Sequence, residues 1–404
     1  LTLGVGAFIL TTCFVVMATG WPLYWILVAC AFVATLAYLP LSILQWVLMW
    51  SNRRAGRPVW PMPVAGRRIA VVITTVGKSP EVVEWIVKQL RGYHLDMRII
   101  AVIEATDKFA YSVPTVVVPA DYRTPNGSHR KMRALHYFSE QIPKLFDKPA
   151  QTYICHLDDD SLVTEDYLFW VRGMPEVAGQ GCIRLREHGR HILTTLADMV
   201  RISDCESYCR FANRHGVPNA VHGEGLVVRA NVEHEIGWDF ATLGAEDLLM
   251  GQTISARGHD FAWIPEHIYI APPLDTMDFL KQRRRWIAST LTAWPTLRKL
   301  KPKMFYWLVY RFAVGWAGFM GLIILVFGIV YHPGEPLVLT ALAAFNLVSF
   351  FAYYQFGVSK TDRSRYAIKM VLLQFVVSAY ESAAMLYTVF YFPEKGSFDV
   401  IAKV

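Results

Sequence analysis

Long apolar stretches crowd both ends of this chain around a charged middle, and that arrangement limits what it can fold into more than any other feature. Residues 1–19 and 21–50 contain no Lys, Arg, Asp or Glu, and further apolar stretches occupy about 305–331, 336–357 and 366–392. Each is near or above the roughly 20 residues a helix needs to cross a bilayer. With 54% hydrophobic and 18% charged residues, the chain is too apolar for an ordinary soluble protein. Trp21, Trp25, Trp46, Trp50, Trp307, Tyr331, Tyr353 and Tyr391 fall near the expected span ends, where amphipathic rings favour the interface. A cleaved secretory signal is the competing reading of residues 1–19, but a second long span follows at once, which favours a retained helical hairpin.

Basic segments set the orientation. Arg53, Arg54 and Arg57 follow the second stretch, Lys299, Lys301 and Lys303 precede the third, and Lys360, Arg363 and Arg365 separate the fourth from the fifth. The connection 331–335 has no Lys or Arg. Cations concentrate on the cytoplasmic side of membrane proteins, so the middle of the chain is expected in the cytosol. The expected organisation is two helices over 1–50, a cytosolic domain over 51–275, an amphipathic interfacial region over 276–303, and three helices with a short tail over 304–404. The net charge of +7 fits affinity for anionic lipid or a nucleotide better than nucleic-acid binding, and no nucleic-acid partner is expected. Six cysteines are scattered; Cys205 and Cys209 have helical spacing but no matching His pair, so they read as buried thiols of a reducing compartment.

Between the apolar ends, strands and helices alternate. Residues 68–75 form a β-branched run, and Ser79-Pro80-Glu81 opens an amphipathic helix to Leu90. Strands over 97–103 and 115–118, a helix over 130–141, and a strand over 153–157 follow. The alternation predicts an open, mostly parallel sheet with its ligand site at the carboxyl ends of the strands. There is no G-x-G-x-x-G or G-x-x-x-x-G-K-[ST], so neither a dinucleotide fold nor a P-loop is supported.

The last of these strands ends in Asp158-Asp159-Asp160. Three adjacent carboxylates repel one another unless a cation neutralises them. In an extended chain Asp158 and Asp160 share a face, and two hard oxygen ligands there suit Mg²⁺ or Mn²⁺ holding a phosphate-bearing substrate. The plainer alternative is a solvated acidic turn. Lys131 and Arg133 open the preceding helix, where they could reach phosphate or a nucleobase or simply remain solvated. Glu246 and Asp247 form an acidic first helical turn, which either complements the helix dipole or supplies a general base. Gln282, Arg285 and Trp286 fall at i, i+3 and i+4 and form one patch able to hold a diphosphate and floor a sugar site. Arg283 and Arg284 are expected on a basic face against anionic lipid.

The ordered set Lys131-x-Arg133-Ala134-Leu135, Asp158-x-Asp160, Glu246-Asp247 and Gln282-x-x-Arg285-Trp286 resembles the membrane-integrated family 2 glycosyltransferases, which include cellulose, chitin and hyaluronan synthases. Within that family, His222-Gly223-Glu224 and the 278–286 segment look closest to the egghead-type β-1,4-mannosyltransferases. The resemblance implies a GT-A-type α/β domain inserted between transmembrane helices, a GDP- or UDP-hexose donor, Mg²⁺ or Mn²⁺, and inversion at the anomeric carbon. By that likeness Asp158 contacts the nucleotide and Asp160 the metal, Asp158 sharing it. Lys131 and Arg133 hold the nucleotide, Asp247 is the base, and Glu246 orients the acceptor. Gln282, Arg285 and Trp286 line the diphosphate and acceptor site. Glu104 stands where the family usually has an Asp contacting the base or ribose, and His222 falls at the acceptor entrance.

The implied reaction is transfer of a hexose, mannose favoured, to a lipid-linked or glycan acceptor at the cytosolic membrane face. The alternative is a processive synthase that extends and translocates a β-linked polymer. A transporter whose domain only binds nucleotide would instead need ionisable residues inside its spans, for which Arg311 and Glu381 are the candidates.

Overall fold

The computed structural model describes residues 21–393 apart from 57, 58, 60, 61, 187–190, 219, 332–336 and 362–364. The expected first span, nearly all of the 331–335 connection and the tail beyond 393 therefore lie outside the described residues. The described chain starts in a long helix, α1 (Trp21–Arg54). There follow β1 (Arg68–Thr74), α2 (Pro80–Arg91), β2 (Arg98–Glu104), β3 (Thr115–Val118), α3 (Arg130–Leu145), β4 (Thr152–Asp158), β5 (Leu162–Val163), α4 (Glu165–Gly173) and β6 (Ala178–Leu185). Next come α5 (Ile192–Asp204), a π turn (Cys205–Cys209), α6 (Arg210–Arg214), β7 (Val227–Arg229), α7 (Ala230–Ile236), α8 (Glu246–Ala256) and β8 (Phe261–Ile270). Four helices complete it: α9 (Thr276–Leu300), α10 (Pro302–Tyr331), α11 (Leu337–Ser359) and α12 (Arg365–Phe390).

The eight strands form one sheet in the order β3-β2-β1-β4-β7-β6-β8-β5. β1 pairs in parallel with β2 and β4, and β2 with β3. Around β7 the sheet departs from the parallel expectation, because β7 runs antiparallel to both β4 and β6. Parallel pairing resumes between β6 and β8, so the sheet is mixed and mostly parallel.

Alternation along the strands explains the layers. Ile69, Val71, Ile73, Cys155 and Leu157 face one side, packed with Val83, Ile86 and Leu90 of α2. Ala70, Val72, Val102 and Ile154 face the other, packed with Ala134, Phe138 and Ile142 of α3. Strands buried on both faces read as continuous apolar runs, which is why β1, β2 and β4 were legible from local sequence. Their carboxyl ends, at Thr74, Glu104 and Asp158, lie side by side and define one edge for a site.

Among the described residues, three helical segments are long and apolar enough to cross a membrane: Ala29–Arg54, Thr340–Ser359 and Tyr366–Phe390. Polar side chains join them, since Ser42 Oγ donates to Asn346 Oδ1 (2.9 Å) and Trp46 Nε1 to Ser349 Oγ (2.9 Å). Such bonds hold apolar helices together where hydrophobic attraction between them is weak. α11 also packs directly on the α/β domain. A Cβ at Gly357 would come within 2.2 Å of the Met199 carbonyl on α5, so the contact requires glycine. Tyr353, expected at a span end, is buried with its hydroxyl on Asp204.

The expected lipid-facing role of Arg283 is not what the fold gives it. Arg283 does not face lipid: it is 5% exposed and donates to Asp198 Oδ1 (2.9 Å) and Glu381 Oε1 (3.0 Å). A buried guanidinium needs such partners to offset its lost hydration. Arg311 pairs with Asp204 of α5 (2.9 Å) and Glu381 with Arg283 of α9 (3.0 Å), so the two candidates that a transporter would need are held in ion pairs. Arg284 is half-buried and donates to the Tyr391 carbonyl (3.2 Å).

Candidate active site

A cavity of ≈ 590 Å³ opens at the carboxyl ends of β1, β2 and β4. Its wall includes Glu104, Lys131, Asp158, His222, Glu246, Asp247, Arg285 and Trp286, eight sequence-selected residues drawn from positions 104 to 286. Arg133, Asp160 and Gln282 are not on that wall. Arg133 braces it from behind: Nη1 donates to Glu104 Oε2 (2.5 Å), Nη2 to the Pro119 carbonyl (2.5 Å) and Nε to the Tyr122 carbonyl (3.2 Å). Gln282 is buried and accepts from Arg283 Nη1 (2.6 Å).

The acidic triplet does not continue as a strand. β4 ends at Asp158, and Asp159 and Asp160 form a turn, closed where the Asp158 amide donates to Ser161 Oγ (3.0 Å). The period-two alternation that would put Asp158 and Asp160 on one face therefore stops one residue into the triplet. Asp159 is buried, lines the cavity, and accepts from Thr75 Oγ1 (2.9 Å) at the end of β1. Asp160 is half-buried in the turn.

Lys131 projects from the first turn of α3 onto Asp158, with Glu246 Oε1 3.5 Å away. Burial disfavours its cation, but Asp158, Glu246 and Asp247 more than offset this and raise its pKa above the ordinary lysine value. Opposite, α8 begins at Glu246 directly after Ala245, which adopts a left-handed φ of 59°. That conformation is costly for a residue with a Cβ. Asp247 Oδ1 accepts from the Leu248 amide (2.8 Å). Burial, then the adjacent Glu246 charge, push the Asp247 carboxyl up to about 7, with Lys131 and the Leu248 amide opposing. A carboxylate so poised takes a proton at neutral pH far more readily than an ordinary aspartate.

The loop between α6 and β7 brings the two sides together. A Cβ built at Gly223 would lie 2.6 Å from Lys131 Nζ, 3.7 Å from Asp247 Oδ2 and 3.8 Å from Asp158 Oδ2. Both carboxylates thus reach the same few ångströms of space, and only glycine leaves it clear. Gln180 on β6 clamps this loop: its Nε2 donates to the His222 (2.6 Å) and Glu224 (2.8 Å) carbonyls, and its Oε1 accepts from the His222 amide (2.9 Å).

Trp286 lies between two guanidiniums, Arg201 at 4.3 Å and Arg283 at 4.5 Å from its ring centroid. Cations over an indole face both fix the ring and concentrate positive charge. Arg201 also faces Glu224 (3.9 Å) and lines the cavity. Sequence reasoning missed Arg201, Gln180 and Thr75. None sits in a charge cluster or a spaced motif, so they carry no local signal.

Comparisons with known proteins agree with this architecture. The family model for glycosyl transferase family group 2 matches residues 153–356. The chain is 29% identical over 248 residues to the β-1,4-mannosyltransferase egh of Drosophila melanogaster, covering 57% of this chain and 53% of that protein. It is 31% identical over 189 residues to the β-1,4-mannosyltransferase bre-3 of Caenorhabditis briggsae, covering 44% and 41%. The chain therefore spans about half the length of the curated relatives it matches. Among solved structures, the mannosyltransferase PcManGT from Pyrobaculum calidifontis, in complex with GDP-Man and Mn²⁺, superposes with a TM-score of 0.58 at 15% identity over 91% of this chain and 99% of that one. That likeness establishes the GT-A-type fold.

Proposed function

The chain belongs to glycosyl transferase family group 2, and from that premise we propose that it transfers a hexose, mannose favoured, from a nucleoside-diphosphate sugar to a hydroxyl of a lipid-linked or glycan acceptor. The observation that carries the reading is the half-buried Asp247, its pKa raised to about 7, facing the Lys131–Asp158 pair across one cavity. The similarity to β-1,4-mannosyltransferases and to a fold that holds GDP-Man supports mannose as the sugar.

Asp247 takes the proton of the acceptor hydroxyl as that oxygen attacks the anomeric carbon from the face opposite the leaving diphosphate, which inverts the configuration. A positioned carboxylate contributes about 10²–10⁴-fold. Glu246 orients the acceptor beside it, and His222 stands at the acceptor entrance. Lys131 and Arg285 stabilise charge that grows on the leaving diphosphate, an interaction stronger in the transition state than before it. Glu104, held by Arg133, receives the nucleoside end. Gln282 holds Arg283, whose guanidinium lies over the Trp286 ring.

The donor set fits a hard divalent cation. Mg²⁺ needs one or two carboxylates and takes its remaining ligands from phosphate oxygens and water; Asp158 and Asp160 would supply the carboxylates, with Asp159, bonded to Thr75, lining the cavity beside them. When bound, Mg²⁺ or Mn²⁺ supplies positive charge to the diphosphate. Basic residues flanking the apolar helices favour a catalytic face on the cytosolic side of a membrane, with lipid around those helices.

A donor screen of the purified chain in lipid, reading released nucleoside diphosphate and the size of the labelled product, tests the proposal. One discrete mannosylated product is expected. A polymer ladder would establish the processive alternative, and no release from any sugar nucleotide would overturn transfer altogether.

A further inference from the structure

Behind the His222 side of the cavity lies a cluster with a different chemistry. Cys205 and Cys209 bracket the π turn and are buried, and His222 approaches from the α6–β7 loop. The two sulfurs and an imidazole nitrogen all lie within 4.8 Å of one another. Ligand atoms around tetrahedral zinc, with bonds of about 2.3 Å to sulfur and 2.0 Å to nitrogen, sit roughly 3.5–3.8 Å apart, so small side-chain adjustments close the set. π turns recur at functional sites. The single histidine that sequence spacing could not supply arrives from a loop after α6.

Further observations point to a ligand. His222 Nε2 is buried and makes no hydrogen bond of ordinary geometry among the described residues, and the Cys209 thiol is the polar neighbour of the imidazole. Both cysteines are free thiols. Cys182 lies close by with its thiol on the Cys205 carbonyl (3.4 Å), as the Cys205 thiol lies on the Gly181 carbonyl (4.0 Å); the three ligand atoms within 4.8 Å of one another are those of Cys205, Cys209 and His222. Cys209 and His222 also line the cavity, so a fourth coordination position opens towards it. Three protein ligands with one open position differ from a closed structural site.

We propose that Cys205, Cys209 and His222 form a binding site for a thiophilic cation of the zinc class, open to the cavity and separate from the hard-oxygen site at Asp158. Thiolate and imidazole ligands select zinc-like ions over Mg²⁺ or Mn²⁺. Binding releases to solvent the Cys205 thiol proton and the proton that Cys209 and His222 share, and one lone pair on each sulfur and one on the imidazole nitrogen form the three metal bonds. His222 is followed by Gly223, which abuts Lys131 and Asp247. Occupancy therefore fixes the loop on the acceptor side and puts a cation at that end of the cavity, where zinc acts as a regulator of the site. The proposal does not depend on the transferase reading, because its test reads metal ligation alone.

The experiment uses the untagged full chain in detergent, stripped with chelator and titrated with Co²⁺ as a spectroscopic probe. Saturation at one equivalent is expected, with thiolate-to-cobalt charge-transfer absorption and the strong visible bands of tetrahedral cobalt. Zn²⁺ should displace the signal, and excess Mg²⁺ should not. Cys205→Ser and Cys209→Ser should each weaken binding by at least about tenfold, while Asp158→Asn leaves it unchanged. X-ray absorption at the zinc edge of the unsubstituted chain should read two sulfur scatterers and one imidazole, and needs no variant to fold. Absence of the charge-transfer band, its survival in the Cys205→Ser/Cys209→Ser double variant, or an all-oxygen zinc shell would overturn the site.

Discussion

Replacing Asp247 by Asn tests the heart of the proposed reaction and separates chemistry from folding. The side chain keeps its shape and can still accept from the Leu248 amide, but it has no basic oxygen, so transfer should fall by about 10²–10⁴-fold while nucleotide binding survives. Stability should move the other way. In the folded chain burial and Glu246 raise the carboxyl from 3.8 to about 7. At about 1.4 kcal/mol per pH unit, holding Asp247 ionised in the fold costs up to about 4 kcal/mol. The direction of the pH dependence follows from that rise. Below pH ~4 the group is protonated in both folded and unfolded chains and no penalty exists. Between pH ~4 and ~7 the unfolded chain gives up its proton while the folded chain keeps it, so the wild type progressively loses stability. Above pH ~7 the loss is complete. Asn carries none of this penalty. Thermal unfolding of both proteins in detergent without added divalent metal should show matching midpoints at the acid end and an Asn variant that is more stable at pH 8. Equal or lower stability of the Asn variant at pH 8 would refute the raised carboxyl. Near-normal turnover would refute its role as base.

Further outcomes are expected elsewhere. Asp160→Asn should weaken metal-dependent donor binding by about 10–100-fold, whereas Asp159→Asn should mainly lower thermal stability through its Thr75 bond; metal titrations of donor affinity on both variants distinguish them. Gly223→Ala pushes a methyl to 2.6 Å from Lys131 Nζ. Because that nitrogen ends a flexible side chain, stability should change by less than about 1 kcal/mol while equilibrium binding of the donor weakens. Arg283→Met leaves the fully buried Asp198 with the more distant Arg201 (3.6 Å) as its ion-pair partner, and should cost up to about 3–5 kcal/mol. Adding Asp198→Asn should restore much of the lost midpoint, and a double variant no better than the single one would contradict the pairing.

The elements of the parallel half of the sheet were legible because each carries its own periodicity. Residues 115–118 match β3 to the residue, and the 68–75, 97–103 and 153–157 runs match β1, β2 and β4 within one residue at each end. Ser79-Pro80-Glu81 marked the start of α2, with Pro80 as its first residue. β7 went unread because it has three residues, too few for an alternating pattern to declare itself. The Asp158–Asp160 alternation was a sound inference about strands applied one residue beyond the end of one.

Sequence by itself determined the apolar ends, the alternating middle, and the residue types that meet at the cavity: carboxylates, a lysine, an arginine and a tryptophan. These are local properties, set by periodicity and by side-chain chemistry. Only the tertiary structure decided that desolvation and Glu246 raise Asp247 to about 7, that Arg283 turns from lipid to Asp198 and Glu381, and that His222 meets Cys205 and Cys209. Desolvation and charge pairing depend on neighbours tens to hundreds of positions away, and no window of sequence records which of them the fold brings near.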